Sequence, residues 1–521
     1  MCPDGYSEPP RRRRHAPVLR LSGFAIVALA AACSPTGAGG GASDAPTVTP
    51  DAPVTPGSAD LTPRVPVTDP PPSVPNGDPS AAGQFIDPDE TPILPAAPIR
   101  RRGLREKQVA CPGGGTTSLS GTVYIPSGEL ALYNAMVYVP DADLRPFTPG
   151  ASCGCEISGE PIASALTDAD GHFVLENVPV GSDIPLVVQV GEWRREFNIG
   201  TVEACTDKPI AEQTLRLPAR QSEGDIPKIA VATGFADALE CLVRKLGIAP
   251  EEFTHPRRDG RVNLFAGFGG TDRFSDSMNG GEPFPPSGAL WSDLPSLQLY
   301  DIVLLSCDSR APDSGGDDDK DARSMQAMYD YLNGGGRVFA SHFQEVWFQK
   351  GPAPFPDLAT YVRDPNYEGP PDFQVVTDFP KGQAMAEWAL ASGASSDTGQ
   401  IPVLGAKRTI LSENPMYAQR WLTSDDPETV QYLSANTPLG ASEAEQCGRV
   451  VLSDLHVSPG RIDEDTHDPI DDLSEQDLPF PQGCVTSGFS PQEKLLAFML
   501  FDISACVVPD NQAPAAPPII R

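Results

Sequence analysis

The chain has 521 residues, which is too long for one ordinary domain and indicates two or three. It contains 58 Pro and 48 Gly, and the proline share is about twice the usual one. Seventy acidic residues outnumber 38 Lys and Arg, so the formal net charge is −32. This balance argues against a nucleic-acid partner, because phosphate recognition needs a basic surface. Eleven cysteines are typical of an exported protein rather than of one kept in a reducing cytosol.

The N-terminus has the parts of a bacterial export signal. Four arginines at positions 11–14 precede an apolar run at 21–32, which is too short to span a bilayer. Residues 29–33 resemble a lipobox, in which the final cysteine carries a lipid after cleavage. We therefore expect residues 1–33 to be a signal peptide and Cys33 to anchor the protein in the cell envelope. Ser34 favours the outer membrane, and a plain secretory signal with an incidental cysteine is the alternative.

Two segments have the composition of disordered chain. Residues 34–110 are dominated by proline, glycine, alanine and small polar residues. Such a stretch cannot bury enough apolar surface to offset the entropy lost on ordering, so we predict a tether between the membrane and the first domain. Residues 509–521 are again rich in proline and alanine, and we predict a disordered tail there.

Residues 111–220 alternate short apolar runs with turn residues, which predicts a small β-sandwich. The predicted strands lie at 119–125, 135–139, 172–176, 186–190 and 194–199. The runs at 119–123, 135–139 and 167–181 resemble the carboxypeptidase regulatory-like domain, a transthyretin-like sandwich. The resemblance implies a non-catalytic spacer or adhesion module. Because some members of the wider fold bind carbohydrate, glycan binding is one hypothesis for this domain.

Residues 221–508 alternate strands with helices, which predicts an α/β domain with a mainly parallel sheet. Strands are predicted at 226–234, 262–266, 300–306, 337–342 and 448–456. Helices are predicted at 236–247, 321–332 and 490–501, and the last begins with a capping box formed by Ser490 and Glu493. The predicted protein is therefore multidomain, with a leash, an all-β sandwich and an α/β domain.

The order of these elements resembles the class I glutamine amidotransferase-like fold and its ThuA-like relatives over about residues 226–506. Residues 334–342 match the strand and elbow of that fold, and His456 matches the position of its catalytic histidine. The elbow pattern Gly-x-Cys-x-Gly is absent from residues 339–343, and Val457 and Ser458 follow His456 where the acid of the triad is expected. The resemblance therefore implies a degenerate amidotransferase-like domain without glutaminase activity.

Polar residues are predicted at the carboxyl ends of the parallel strands, where such sheets bind their ligands. Ser341 is a candidate nucleophile with His456 as its base, although the small residues of a nucleophile elbow are missing. His342, Asp454 and His456 are candidate ligands of a divalent metal, since imidazole and carboxylate suit transition metals. In the third interpretation, these polar residues form the rim of a non-catalytic binding domain. No other cofactor is expected.

The cysteines predict a set of disulfides. After Cys2 and Cys33 are set aside, nine cysteines remain, and Cys307 is left over as a buried structural residue or a nucleophile. Cys153 and Cys155 are only two residues apart and are therefore too close to pair with each other. The predicted pairs are Cys153 and Cys155 with Cys111 and Cys205 in either combination, Cys447 with Cys484, and Cys241 with Cys506.

The leading hypothesis is a lipid-anchored envelope protein that acts as a binding or scaffold module, with a glycan or another protein as its partner. An exported hydrolase that uses a metal, or Ser341 with His456, is the alternative. Carbohydrate binding by the sandwich is another. The choice depends on whether His342, Asp454 and His456 meet at one place, because only converging side chains form a site.

Overall fold

The computed structural model describes residues 102–154, 157–307, 320–364, 367–456 and 478–516. The predictions for the signal peptide, for Cys33, for the leash up to residue 101 and for Cys155 lie outside these described residues. Within the described ranges, no helix is long and apolar enough to cross a membrane.

The described fold includes residues that the sequence assigned to the leash. Leu104 is buried in the core of the sandwich, and its backbone N–H donates a hydrogen bond to Asp141. Arg102 pairs with Glu196 at 2.9 Å. The prediction of a tether therefore needs correction for residues 102–110, because one apolar side chain and one ion pair attach this segment to the sandwich.

Eight strands form two four-stranded sheets that share a hydrophobic core, and the five predicted strands are all present. One sheet has the order β4-β1-β7, with β8 also paired to β1, and the other has the order β3-β2-β5-β6. Side chains alternate between core and solvent, as in β4, where Phe173 and Leu175 are buried between exposed neighbours. The strands are β1 Ser118–Tyr124, β2 Met136–Pro140, β3 Pro161–Leu166, β4 His172–Glu176, β5 Pro185–Val190, β6 Trp193–Asn198, β7 Asp207–Pro209 and β8 Leu215–Arg216.

Ten further strands form one large sheet with the order β10-β11-β9-β12-β13-β20-β19-β18-β15-β16. Neighbours from β10 to β20 run parallel, and neighbours from β20 to β16 run antiparallel. A separate two-stranded sheet joins β14 to β17. The strands are β9 Ile229–Ala232, β10 Phe253–Thr254, β11 Val262–Phe265, β12 Ile302–Leu305, β13 Arg337–Ser341, β14 Ala359–Tyr361, β15 Asp372–Val375, β16 Gln400–Pro402, β17 Ile410–Glu413, β18 Gln419–Asp425, β19 Glu428–Thr437 and β20 Gly448–Ser453.

Helices accompany these strands, and the three predicted ones correspond to α1, α4 and α7. The predicted capping box is confirmed: Ser490 accepts a hydrogen bond from the backbone of Glu493, and Glu493 accepts one in return. The helices are α1 Leu239–Lys245, α2 Gly288–Trp291, α3 Leu294–Leu297, α4 Ala322–Asn333, α5 Val346–Gln349, α6 Pro380–Ala391 and α7 Pro491–Ser504.

The mixed, multidomain character of the chain is confirmed, but the sequence did not indicate the antiparallel half of the large sheet. Strand β19 shows why. It is ten residues long, nine of them are buried, and its buried side chains include Thr429, Gln431 and Ser434. Apolar and polar residues alternate over 430–432 and again over 433–436, but two adjacent apolar residues, Tyr432 and Leu433, interrupt the two-residue period. Hydrogen bonds donated by Thr429, Gln431 and Ser434 compensate part of the cost of burying these polar side chains.

Helix α7 joins the sandwich to the large sheet. The ring of Phe498 stacks on Tyr133 of the sandwich at 5.6 Å between centroids, and Phe501 contacts Trp193 at 5.7 Å. Beside this helix, the indole N–H of Trp388 donates to the carbonyl of Ala131 at 2.8 Å. The core residues of the sandwich and of the sheet therefore form one continuous cluster.

Three disulfides join described cysteines, and all three differ from the predicted pairs. Cys111 pairs with Cys205, whereas the sequence predicted that each of them pairs with Cys153 or Cys155. The structure also joins Cys153 to Cys447, and Cys241 to Cys484, which corrects the pairs predicted for these cysteines. Cys153–Cys447 links the sandwich to the sheet across 294 residues, a proximity that linear spacing does not reveal. The disulfides indicate an oxidising environment, which is consistent with export.

A buried ion network fastens the C-terminal segment to the sheet. Arg449 donates to Asp502 at 2.7 Å and to Asp510 at 2.8 Å, and Lys381 contacts the same two carboxylates at 3.0 and 3.3 Å. Ser434 also donates to Asp510. The predicted disordered tail from residue 509 therefore needs correction for Asp510, because its carboxylate completes the charge balance around two buried cations.

We expect Asp510→Asn to lower the free energy of unfolding by about 3 kcal/mol at pH 7, because it leaves buried positive charge uncompensated. Burial opposes ionisation of Asp510, but Arg449, Lys381 and the hydrogen bonds outweigh it and lower the pKa of Asp510 to about 2. The folded pKa lies below the unfolded value, so this stabilisation is complete above about pH 4 and disappears as the pH falls toward 2.

Urea unfolding followed by tryptophan fluorescence tests this expectation. The difference between the original protein and Asp510→Asn should shrink between pH 4 and pH 2. The exposed Asp372→Asn is the matched control and should change stability by less than about 0.5 kcal/mol. A difference that stays constant over this pH range would contradict the assignment.

Candidate functional site

Three residues follow neighbouring strands at the carboxyl edge of the parallel half of the large sheet. Strands β12, β13 and β20 are adjacent and pair in register, so the segments after them start close together. Cys307 comes after β12, His342 directly after β13 and His456 after β20. The sheet order thus collects residues from three distant parts of the chain.

The backbone of His342 adopts a left-handed conformation. Its φ angle is +45°, and it is the first residue of a short 3-10 turn, His342–Glu345, that directly follows β13. A non-glycine residue in this region carries backbone strain, which persists only where the surrounding structure imposes it. A sharp turn therefore follows β13, and the residue at the turn is His342 rather than Ser341.

The side chains of these three residues converge. Sγ of Cys307 lies 3.5 Å from Nδ1 of His342, and the ring centroids of His342 and His456 are 5.0 Å apart. One potential ligand atom from each residue lies within 4.8 Å of the other two. The ring of Phe343 stacks on His342 at 4.0 Å and covers one face of the imidazole.

The surroundings of both imidazoles favour their neutral form. Burial lowers the pKa of His342 to about 3. Burial, followed by the nearby His342 and the charge of Lys407, lowers the pKa of His456 well below its ordinary value. A neutral imidazole has a lone pair available on one ring nitrogen, which is the form that ligates a metal.

Cys307 was not among the predicted ligands, although its position after a strand adjacent to that of His342 was a usable signal. Its side chain is fully buried and packs with Phe343 against Ala236. The sulfur takes part in a disulfide in this structure. As a thiolate, the same sulfur would be a soft ligand beside two imidazole nitrogens.

Asp454 lies outside the convergent group, which corrects its predicted role as a ligand. Its carboxylate accepts hydrogen bonds from the backbone N–H of Thr409 at 2.7 Å and from the hydroxyl of Thr409 at 2.6 Å. A longer bond comes from the backbone of Ile410. Burial raises the pKa of Asp454 to about 6, although these bonds oppose the shift. Its contacts attach a neighbouring loop to β20.

The pair of Ser341 and His456 that was predicted as nucleophile and base is not formed in this structure. Ser341 is fully buried at the end of β13, and its hydroxyl has no hydrogen-bond partner among the described residues. A serine nucleophile needs a base within hydrogen-bond reach. The catalytic role predicted for Ser341 therefore needs correction, while His456 belongs to the convergent group.

No family model matches the chain, and no curated protein is significantly similar to it. Two solved type II cohesin–X-dockerin complexes from Acetivibrio cellulolyticus contain chains that are 16% identical to it. One covers 27% of this chain and 80% of its own, with a TM-score of 0.14, and the other 28% and 88%, with 0.13. A cytoplasmic protein from Salmonella typhimurium is 10% identical over 54% of this chain and 99% of its own, with a TM-score of 0.28. At these TM-scores, the likenesses carry no argument about function.

We expect Asp454→Asn to lower the free energy of unfolding by about 1 to 3 kcal/mol, because an amide cannot accept from both Thr409 groups and from Ile410 at once. Chemical unfolding measures this loss. A substitution that leaves stability unchanged would contradict the structural role of Asp454.

Proposed function

We propose that this protein is an exported, lipid-anchored envelope protein whose α/β domain binds a transition metal through His342, His456 and the thiolate of Cys307. The observation that carries the proposal is the convergence of three ligand atoms within 4.8 Å at the carboxyl edge of the sheet. The strained backbone of His342 supports it, since such strain concentrates at functional sites.

The donor set determines the class of metal. Two imidazoles and a thiolate suit zinc or copper, whereas magnesium and calcium prefer oxygen ligands. The metal and the disulfide of Cys307 compete for one sulfur atom. Full coordination therefore requires that this disulfide be reduced, and the two histidines alone form a weaker site.

The envelope location and the domain families belong to the same proposal. The export signal, the lipobox-like segment and the disulfides support a protein anchored outside the cytoplasm through Cys33. The two sheets of residues 118–216 support a carboxypeptidase regulatory-like sandwich, and the elbow after β13 supports a degenerate amidotransferase-like fold. In this proposal, the ligand of the binding module that the sequence predicts is a metal ion.

We expect the mature protein to bind one Zn²⁺ per chain after mild reduction and removal of the reductant. His342→Ala and His456→Ala should each weaken binding at least about 100-fold, because even the loss of a group that merely orients a ligand costs about 10- to 100-fold. Competition with a chromophoric chelator measures the affinity, and mass spectrometry of the metal measures the stoichiometry.

Three comparisons give this experiment its controls. His172→Ala removes an exposed histidine of the sandwich and should leave the zinc affinity unchanged. Cys307→Ser should bind zinc as weakly as the unreduced protein, since both lack the thiolate. Near-ultraviolet circular dichroism verifies that reduction preserves the fold. Equal zinc affinity in His342→Ala and His172→Ala would refute the site.

A metal-dependent hydrolase is the second candidate function, and the number of donors favours it. Catalytic zinc sites use three protein ligands and leave a fourth position for water or substrate. A bound zinc ion makes that water acidic enough to act as a nucleophile near neutral pH. The three convergent residues match this count.

We expect zinc-loaded protein to hydrolyse at least one chromogenic ester, phosphate or peptide in a broad panel, with the activity lost in His342→Ala and kept in His172→Ala. Activity that survives in His342→Ala would come from elsewhere. Absence of turnover together with stoichiometric zinc would leave metal binding as the function and exclude hydrolysis of these substrates.

A further inference from the structure

A cavity lies at the amino edge of the parallel strands, opposite the edge that carries the proposed metal-binding residues. The sheet contributes Asp301 and Arg337 to its walls, the sandwich contributes Glu192, and helix α7 contributes its last residue, Ser504. The cavity has a volume of about 40 Å³. A single water needs only about 10 to 15 Å³, so the cavity has room for a small molecule.

Close backbone contacts hold the walls of this cavity in place. A side chain at Gly191 would collide with the carbonyl oxygen of Ser504, and a side chain at Gly335 would collide with that of Ser152. The Cys153–Cys447 disulfide joins the sandwich to the sheet at the same junction. The cavity is therefore formed before any ligand enters, as is usual for sites that bind small molecules.

Arg337 is a cation without an ion pair. Its Nη1 donates to the carbonyl of Cys447, and Nε and Nη2 have no hydrogen-bond partner in the described part of the chain. No carboxylate oxygen of the described residues lies within 4.0 Å of its guanidinium nitrogens. Burial, followed by the charge of Arg449 on the neighbouring strand, lowers the pKa of Arg337 to about 10. This is the direction expected for a buried cation that lacks a compensating anion.

Two acidic residues line the same cavity but do not pair with this arginine. Asp301 directly precedes β12, and its Oδ2 accepts a hydrogen bond from the backbone N–H of Lys228 at 2.5 Å. Glu192 lies in the turn between β5 and β6 of the sandwich. The carboxyl end of α7, at Ser504, adds the partial negative charge of a helix C-terminus. Opposite charges therefore share one cavity without neutralising each other.

The separated charges determine which ligand fits. An anion alone would pair with Arg337 but would also meet the negative charge of the acids and of the helix end. A cation alone would pair with the acids and leave the arginine without a partner. A ligand that carries one positive and one negative group pairs with both, and enclosed charges in proteins are normally paired.

We propose that this cavity binds a small zwitterion, an α-amino acid of the size of glycine or alanine. Its carboxylate accepts hydrogen bonds from Nε and Nη2 of Arg337, whose planar fork matches the two carboxylate oxygens. Its ammonium group pairs with Glu192 and Asp301 beside the end of α7. The volume of the cavity excludes long side chains. This site shares no residue with the proposed metal site and lies at the other edge of the sheet.

Isothermal titration of the full mature chain with four small molecules tests the site. Glycine and L-alanine carry both charges, whereas acetate and methylammonium carry one charge each. At least one of the two amino acids should bind, with one molecule per chain. Acetate and methylammonium should bind at least about tenfold more weakly, because each satisfies only one of the separated charges.

Two results of this titration would overturn the proposal. If neither amino acid binds at millimolar concentration, the cavity holds only water. If acetate or methylammonium binds as tightly as the better amino acid, the site recognises a single charge and not a zwitterion.

Two substitutions locate the bound amino acid. Arg337→Gln and Glu192→Gln should each weaken its binding at least about tenfold, because each removes a charged partner. Glu192 lies in a turn and is half-buried, so Glu192→Gln keeps the test decisive even if Arg337→Gln fails to fold. Unchanged affinity in Glu192→Gln would overturn the assignment of the site.

Matched variants serve as controls. Arg323→Gln removes an exposed arginine of α4, and Glu387→Gln removes an exposed carboxylate of α6. Both should bind the amino acid as the original protein does. His342→Ala, which removes a proposed metal ligand at the other edge of the sheet, should also keep this binding. Loss of amino-acid binding in any of these three variants would contradict the placement of the site in this cavity.

Discussion

The structure depends on the complete enclosure of helix α7. Eleven of its fourteen residues are buried, so solvent-facing sides are almost absent and the helix needs neighbours all around it. The sandwich covers one side through Tyr133 and Trp193, and the large sheet with α6 covers the rest. Its two buried acids, Glu493 and Asp502, each form an ion pair with a buried cation. This pairing compensates the free-energy cost of removing the carboxylates from water.

Enclosure also determines the chemistry at the carboxyl edge of the sheet. Burial lowers the pKa of His342, and the strained turn at this residue persists because the surrounding core holds it in place. The sandwich is therefore part of the body that carries the site, through the shared core and the Cys153–Cys447 disulfide, and differs from a freely attached spacer.

The sequence alone determined five of the eight sandwich strands, five of the six parallel strands, helices α1, α4 and α7, and the capping box, because each depends on local periodicity. It also placed His342 and His456 at strand ends. Only the tertiary structure decided that Cys307 joins them and that Asp454 turns to Thr409 instead. It likewise decided the cysteine pairs, the antiparallel strands and the role of Asp510. The physical reason is common to all of these: each depends on contacts between residues far apart in the chain, and their spacing in the sequence carries no record of the sheet order that brings them together.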